Sequence, residues 1–297
     1  MRVMFVGGGR RVSLAKRFIA AGFDVFAYET DPNCPISEVA TIVEGKKWND
    51  WGIEQHVLDA LFTNNIDIAI PLQDHATVVL ARIADKTATK IPTASESVNN
   101  MCLNKKTFEE QLSGYDFYPI VKKDHDVIIK PMFGFNSKGI RVIKSDDFDG
   151  EIGDGCVAQR YIPGGFEISV DAYFNKAGKM VDAIPRRRLE VQGGEVSKSI
   201  TLERNASNVN DITRLVGEKF GLVGPTCFQY VIGDNVTFIM EANARFGGGV
   251  ILSLEAGFDI VSLIRDEYMN GIVCEPKAYD WKNGFSMVRY FQEHFYG

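Results

Sequence analysis

The sequence has few of the side chains that build metal clusters and disulfide frameworks. Its five cysteines are odd in number and far apart, and its four histidines are scattered, so no paired motif is formed. This pattern excludes a structural zinc site and a disulfide framework. The N-terminal segment has no basic region followed by a long apolar stretch, so we predict no secretory signal and a cytoplasmic location.

Long apolar runs and a surplus of basic charge are also missing. No stretch approaches the roughly 20 apolar residues of a membrane-spanning helix. The 297 residues carry 33 basic and 39 acidic side chains, a formal net charge of −6, which gives no general attraction to nucleic acid or anionic lipid. We therefore predict a globular chain of about two domains, with neither a nucleic-acid nor a membrane partner.

Glycine, in contrast, is plentiful and clustered, with 28 residues against 10 prolines. The first cluster, residues 7–9, follows an apolar run at 3–6 and precedes a helical pattern, and Glu29 ends the next predicted strand. This order is typical of a dinucleotide-binding turn, but the third glycine of that fingerprint falls on Val12. A nicotinamide site, another small-molecule contact and a tight turn without a ligand all stay open at this point.

Strand and helix patterns alternate along the first third of the chain, which predicts a parallel-sheet domain over residues 1–92. Later strands are short and separated by frequent turns, which indicates antiparallel α+β structure. The fold class is therefore α/β and α+β. The elements predicted after residue 92 are helices at about 104–112, 210–220 and 260–270, strands at 127–130, 140–143, 157–162, 167–174 and 180–185, and a hairpin over 226–242.

The second glycine cluster follows a lysine. Lys130 ends an apolar strand, and a loop containing Gly134, Ser137 and Gly139 leads to the next strand. Glycines allow backbone N–H groups to approach phosphate oxygens, and a lysine on a strand supplies a fixed positive charge. The P-loop order GxxxxGK[ST] is absent. The segment predicts either a mobile phosphate-binding loop or a long hairpin loop with a solvated lysine.

A polar strand face near residue 241 is the most informative feature. Glu241, Asn243 and Arg245 share one parity and therefore point to one face of a strand. Pairing with the preceding strand sets Gln229 opposite Ile239 and makes Glu241 a diagonal neighbour of Gln229, roughly 7 Å away. One carboxylate and two amide oxygens beside an arginine predict a Mg²⁺ or Mn²⁺ site that also contacts phosphate. A solvated strand face with a salt bridge is the alternative.

The order of these motifs resembles the ATP-grasp superfamily, most closely its single-chain proteins similar to the carbamoyl-phosphate synthase large subunit. The resemblance covers the whole chain and implies a Rossmann-like pre-ATP-grasp domain over 1–92. It implies an ATP-grasp domain over 93–297, in which two α+β subdomains clasp ATP and a mobile lid spans about 114–161. The motifs that carry it are Lys130 with its loop, residues 157–162, 165–171 and 241–245, and the glycines that follow.

Carried over position by position, the resemblance implies an ATP site. Lys105 matches a lysine that contacts phosphate at the start of the lid, and Lys130 matches one that contacts the α and β phosphates. Glu167 matches the acid that binds the ribose hydroxyls. The remaining ATP contacts correspond to Ser137 in the phosphate loop and to the adenine hinge Gln159, Arg160, Tyr161 and Ile162.

The resemblance also implies a catalytic centre. Gln229, Glu241 and Asn243 match metal ligands, and Arg245 matches the arginine that stabilises the transferring phosphoryl group. The implied reaction passes the γ-phosphoryl group of ATP to a substrate carboxylate, and an amine attacks the resulting acyl phosphate.

The sequence gives weaker evidence for the residues that bind the substrate acid and the acceptor. Arg186 and Arg188 share a strand face, and either could hold the acid's carboxylate. Residues 192–199 form a predicted loop that could close on the acceptor. A basic edge strand is the alternative interpretation of the arginines. A nicotinamide oxidoreductase and a non-catalytic ATP-binding module stay as alternative functions, and a homodimer is left open.

Overall fold

A parallel sheet with helices on both faces forms the N-terminal part of the computed structural model, which describes residues 1–134, 139–233 and 235–296. The strands are β1 (Arg2–Val6), β2 (Asp24–Glu29), β3 (Thr41–Glu44) and β4 (Ile68–Pro71), and the helices are α1 (Val12–Ala20), α2 (Ile53–Thr63) and α3 (Asp74–Ile83). The sheet has the order β3-β2-β1-β4, and every pair is parallel. The sequence did not predict β3, because only four residues form it and none is fully buried.

Alternation along β1 explains why this sheet is covered on both faces. Val3 and Phe5 pack with α1 in one apolar cluster, whereas Met4 and Val6 pack with α2 and α3 in another. Successive side chains of a strand point to opposite faces, so a fully apolar strand needs a cover on each side. The first cluster also includes Val250 from a helix late in the sequence, so distant parts of the chain share one core.

A six-stranded antiparallel sheet dominates the second part of the chain. Its strands are β8 (Phe166–Phe174), β9 (Met180–Gln192), β10 (Glu195–Thr201), β11 (Gly224–Ile232), β12 (Thr237–Asn243) and β13 (Ser286–Val288). The order is β12-β11-β8-β9-β10-β13. The helices around it are α4 (Glu96–Leu103), α5 (Lys105–Leu112), α6 (Val209–Phe220), α7 (Val250–Ala256) and α8 (Ile260–Ile264), the last continuing as a π-helical turn over Arg265–Met269.

A small three-stranded sheet lies between these two parts in sequence. It consists of β5 (Val127–Pro131), β6 (Arg141–Ile143) and β7 (Cys156–Arg160) in the order β6-β5-β7, with antiparallel pairing. Its own core is minimal, formed by Val127, Ile129 and Ala158 with a few half-buried neighbours. The predicted α/β and α+β fold class is confirmed.

Two local predictions are wrong. Residues 192–199 are not a loop, since β9 runs to Gln192, turns at Gly193-Gly194 and returns as β10. Arg186 and Arg188 are not on an edge strand, because β9 lies between β8 and β10. The strand β9 is longer than its apolar run 180–185, because most of its polar half is held by pairing with β10 rather than by burial.

A β-bulge changes the predicted register of the polar hairpin. Tyr230 pairs with Ile239, but the next pair is Gln229 with Glu241, so Met240 is the extra residue. Ile239 is fully buried on one side of the bulge and Ala242 on the other, as expected when one inserted residue shifts the alternation. Gln229 therefore lies directly opposite Glu241, and not diagonal to it as predicted.

Candidate functional site

The bulged hairpin places three predicted metal-site residues together. Gln229 on β11 is the pairing partner of Glu241 on β12. Asn243 donates from Nδ2 to Glu241 Oε1 at 3.2 Å. These side chains are half-buried, so the sheet holds one carboxylate and two amides at a partly desolvated surface.

Lys130 on β5 is held next to this surface by a buried polar chain. Its Nζ donates to Gln159 Oε1 at 2.9 Å, and Gln159 Nε2 donates to Tyr118 Oη at 2.9 Å. Burial lowers the pKa of Lys130 to about 8, Glu241 and Glu167 act in the opposite direction, and Lys105 adds to the lowering. A desolvated lysine that lacks an ion-pair partner at contact distance favours the arrival of a negatively charged ligand.

Lys105 connects the small sheet to the hairpin. It is the first residue of α5, whose N-cap is Asn104. Its Nζ donates to Gly134 O at 3.1 Å and lies 3.8 Å from Glu241 Oε2, while its backbone N–H donates to Met132 O at 3.2 Å. Lys105 thus contacts Gly134 at the start of the glycine loop, Lys130 precedes that loop in the sequence, and both are close to Glu241.

Arg245 is held by a carboxylate from the N-terminal sheet. Its Nε and Nη2 bind the two oxygens of Asp74 at 2.7 and 3.0 Å, and Nη2 lies 3.5 Å from Asn243 Oδ1. Asp74 is the first residue of α3 and follows the end of β4 by three positions. A bidentate pair of this kind fixes the plane of the guanidinium, so α3 orients the arginine that follows the metal-site strand.

Arg188 contacts residues that are predicted to bind ATP and the metal ion. Its Nη1 donates to Glu167 Oε2 at 2.6 Å and to Gln229 Oε1 at 3.1 Å, and its Nη2 donates to Gly194 O at 2.9 Å. Arg188 therefore links the predicted ribose acid to the predicted metal ligand.

Arg186 is enclosed in the core. It is 1% exposed, donates from Nε and Nη2 to Asp171 at 2.6 and 3.1 Å, and packs against Gly249. Ser253 also donates to Asp171, at 2.6 Å. A buried and bidentate ion pair does not exchange partners with a ligand easily, so the prediction that Arg186 binds a substrate carboxylate disagrees with its position.

Two backbone N–H groups of the predicted adenine hinge are already hydrogen-bonded within the protein. The Arg160 N–H donates to Pro119 O and the Tyr161 N–H donates to Asp126 O, both at 2.8 Å. The Arg160 guanidinium lies over the ring of Phe238 at 5.6 Å. Among the described residues, Ile162 is the hinge position whose N–H has no bonded acceptor. Ser137 lies outside the described residues.

The donor set fits a cation that arrives with a nucleotide. The described residues contain no group of three or more His, Cys, Asp and Glu side chains that could hold a metal alone. Glu241, Gln229 and Asn243 offer one carboxylate and two amide oxygens, and Mg²⁺ commonly takes one or two carboxylates together with phosphate oxygens and water. Arg188 donates to Gln229 Oε1 at 3.1 Å, and Arg245 Nη2 lies 3.5 Å from Asn243 Oδ1, so each amide oxygen has a guanidinium neighbour in this structure.

Two residues of this site were not predicted from the sequence. Asp74 holds Arg245, and Tyr118 holds Gln159. Asp74 carried a usable signal, since it follows a buried parallel strand and the carboxyl ends of such strands line ligand sites. Tyr118 carried none, because it belongs to no strand or helix whose pattern would mark it as part of a site. In the described part of the chain, no helix is long and apolar enough to cross a membrane.

Comparisons with known proteins agree with this architecture. The sequence model of a family described as "ATP-grasp in the biosynthetic pathway with Ter operon" matches residues 155–292. That segment is a little under half of the chain and contains β8–β13 with the polar hairpin. A search of curated protein sequences finds no match.

Solved structures of similar fold cover nearly the whole chain. N5-carboxyaminoimidazole synthetase from Staphylococcus aureus with ADP aligns with a TM-score of 0.70 and 17% identity, over 95% of this chain and 79% of that one. The biotin carboxylase domain of 2-oxoglutarate carboxylase from Hydrogenobacter thermophilus aligns with a TM-score of 0.67 and 14% identity, over 95% and 72%. Phosphoribosylglycinamide synthetase from Anaerococcus prevotii aligns with a TM-score of 0.62 and 19% identity, over 86% and 71%.

Proposed function

The chain has the ATP-grasp fold, and from this premise we propose that it is an ATP- and Mg²⁺-dependent ligase that activates a carboxylate by phosphorylation. The observation that carries the proposal is the convergence of Lys105, Lys130, Glu241, Asn243 and Arg245 on one partly desolvated surface. A solvated strand face would not need α5 and β5 to meet β12 and the segment that follows it.

The geometry suggests a role for each group in binding nucleotide. Lys105 contacts Gly134, Lys130 precedes the glycine loop in the sequence, and both would supply positive charge for the phosphates. Glu167, now bound to Arg188, would receive the ribose hydroxyls, and the Ile162 N–H would contact the base. The burial of Gln159 and its two hydrogen bonds make it a support for Lys130 rather than a base contact.

The proposed reaction proceeds in two displacements. A carboxylate oxygen of the acid attacks the γ-phosphorus of ATP, the bond to the β–γ bridging oxygen breaks, and ADP leaves. The nitrogen of an amine then attacks the acyl carbon, phosphate leaves with the C–O electron pair, and the amine proton passes to solvent. Arg245 stabilises the charge that develops on the phosphoryl oxygens. Magnesium held by Gln229, Glu241 and Asn243 would neutralise phosphate charge.

We also propose the domain division at residue 92 and a lid at about 114–161. The three-stranded sheet and its small separate core fall within that lid segment, which suits a unit that moves relative to the larger sheet. The specific likeness to carbamoyl-phosphate synthases, the cytoplasmic location and a homodimer stay predictions.

The acid-activation test uses hydroxylamine as a general acceptor. With ATP, Mg²⁺ and a panel of carboxylic acids, the protein should form a hydroxamate and ADP with at least one acid. Glu241→Gln should lower this turnover at least about a hundredfold, because a metal-binding charge is lost. The matched control is Glu190→Gln, an exposed glutamate on β9, which should retain the parent's rate.

The contrary outcomes separate the alternatives. ATP binding by calorimetry without ADP formation from any acid would indicate a non-catalytic ATP-binding module. Absence of ATP binding together with enhanced NADH fluorescence would favour the nicotinamide enzyme. The structure argues against the latter, because the Glu29 carboxylate lies against Gly9, where a dinucleotide pyrophosphate would need free N–H groups.

A further inference from the structure

A cavity of 360 Å³ lies at the carboxyl end of the N-terminal parallel sheet, and none of the residues predicted for the ATP site lines it. Its wall comes from the ends of β1, β2 and β4 and from the segment 46–49. The volume falls in the lower part of the range of small-molecule sites. In open parallel sheets this edge is where ligands bind.

Specific contacts hold the cavity wall in place. Trp48 Nε1 donates to Gln73 Oε1 at 2.7 Å, which joins the segment after β3 to the end of β4. Tyr28 Oη accepts the Lys46 N–H at 3.0 Å and lies 2.8 Å from His56 Nδ1. A Cβ on Gly7 would lie 2.8 Å from Gln73 Cγ, so the glycine makes room for this wall. The cavity is therefore preorganised.

The lining favours an anion with a planar body. Lys46 and Lys47 line the cavity, and neither forms an ion pair within the described part of the chain. The one acidic lining residue is Glu29, and burial raises its pKa to about 7 although the Gly8 and Gly9 N–H groups oppose this. Glu29 thus carries only part of its charge at neutral pH. The half-buried ring of Trp48 supplies apolar surface, and the buried Tyr28 ring lies behind it, 6.5 Å away between centroids.

The cavity adjoins the proposed catalytic centre through one residue. Gln73 and His75 line the cavity, and Asp74 between them binds Arg245 at 2.7 and 3.0 Å. A molecule in the cavity would therefore lie on one side of α3's first turn while the phosphoryl-stabilising arginine lies on the other.

We propose that this cavity binds one substrate of the ligase, a small planar molecule with an acidic group. The acidic group contacts Lys46 and Lys47, the ring packs against Trp48, and the reacting end faces the Asp74 side. That the ligand is a substrate rests on the proposed function, whereas its binding in the cavity does not.

Small aromatic acids serve as probes. Benzoate, indole-3-acetate and phenyl phosphate, each compared with a neutral amide or alcohol analogue, are titrated against the full chain by saturation-transfer NMR and calorimetry. At least one acid should bind the parent more tightly than its neutral analogue. The double variant Lys46→Gln/Lys47→Gln should bind that acid about tenfold more weakly, because two partly exposed charge contacts are lost. Trp48→Leu should weaken acid and neutral analogue alike.

The control is Trp51→Leu, since Trp51 is 97% exposed and does not line the cavity. It should leave acid binding unchanged, and all variants should keep the parent's affinity for ATP. Failure of every acid to bind the parent, or equal affinity in parent and double variant, would overturn the inference.

The two proposals fail in different ways. Hydroxamate formation in which the double variant leaves the KM of the acid unchanged would remove the cavity as a substrate site while the ligase stands. Acid binding that depends on Lys46 and Lys47, with no acid-dependent ADP formation, would retain the cavity and refute the ligase.

Discussion

Two glycine triplets, Gly7–Gly9 and Gly247–Gly249, look alike in the sequence but face different surroundings. A Cβ on Gly7 or Gly8 would meet the side chains of Gln73 and Leu72. A Cβ on Gly247 would lie 2.9 Å from Asp171 Oδ1, and one on Gly248 or Gly249 would overlap Glu195 or Arg186. Gly7 and Gly8 meet neutral side chains, and Gly9 has the Glu29 carboxylate at 3.2 Å, whereas Gly248 and Gly249 meet charged groups that are held in ion pairs at shorter distances. The second triplet therefore tolerates less change.

Each of the two regions also contains a titratable group whose pKa is shifted by burial, and the two shifts have opposite directions. Burial raises the pKa of Glu29 to about 7 beside the first triplet and lowers the pKa of Lys130 to about 8 at the nucleotide face. Desolvation penalises whichever form is charged. Lys130 therefore favours a negatively charged ligand, whereas the raised pKa of Glu29 reduces its repulsion of an anion in the cavity.

The largest expected effect is that of Gly249→Ala. The new Cβ would overlap Arg186 Nη1 and lie 2.8 Å from Val196 Cγ1, and Arg186 cannot yield because Asp171 holds it in the core. We expect a loss of about 3 kcal/mol in the free energy of unfolding, measured by denaturant titration. Gly114→Ala is the control, since nothing lies within 4 Å of a Cβ there. Equal stability of the two variants would mean that Arg186 and Val196 do not oppose a side chain at position 249.

Gly7→Ala should have a smaller effect on stability. Its φ is +80°, which is unfavourable for alanine, and the methyl group would press on Gln73 and Trp48, whose side chains lie at a cavity and can shift. We expect a loss of about 2 kcal/mol. The Trp48 fluorescence should change, since its hydrogen bond to Gln73 is disturbed. A cost as large as that of Gly249→Ala would refute the view that the first region is the more adaptable.

Asp74→Asn tests the ion pair that joins the two regions. Loss of the bidentate contact leaves the Arg245 guanidinium unoriented, so turnover should fall about tenfold while the affinity for ATP stays within about twofold. Steady-state kinetics and calorimetry measure the two quantities. Asp85→Asn, at an exposed site just after the same helix, is the control. Unchanged turnover would mean that the two regions act independently.

The smallest effects concern pH. The folded-state pKa of Glu29 is raised, so the folded state binds more protons between about pH 4.5 and 7, and stability falls as pH rises through that window. Glu29→Gln should therefore stabilise the protein by about 1 kcal/mol at pH 8 and by less at pH 5.

The folded-state pKa of Lys130 is lowered, so Lys130→Met should stabilise below pH 8 and lose that advantage as pH rises towards 10.5. Denaturant titration at several pH values gives the free energy of unfolding of the parent and of each variant. If these pKa assignments are wrong, each variant will differ from the parent by the same amount at every pH.

Local patterns were sufficient for much of the fold. The apolar run of β1 and the helical spacing of α6 define their own elements, because periodicity decides which face is buried. The bulge at Met240 was not visible in the pattern, since a single extra residue is fixed by the pairing of both strands. The polar half of β9 was missed for the same reason, as its neighbours and not its own residues make it a strand.

The sequence by itself determined the chemistry of the candidate site: which lysines, carboxylate, amides and arginine it contains, and their order along the chain. Only the tertiary structure decided which of them meet. It placed Arg188 at Glu167, buried Arg186 against Asp171, and brought Asp74 to Arg245 across 171 residues. The physical reason is that contacts between distant segments depend on how sheets pack and pair, whereas residue type and local periodicity report only on each segment alone.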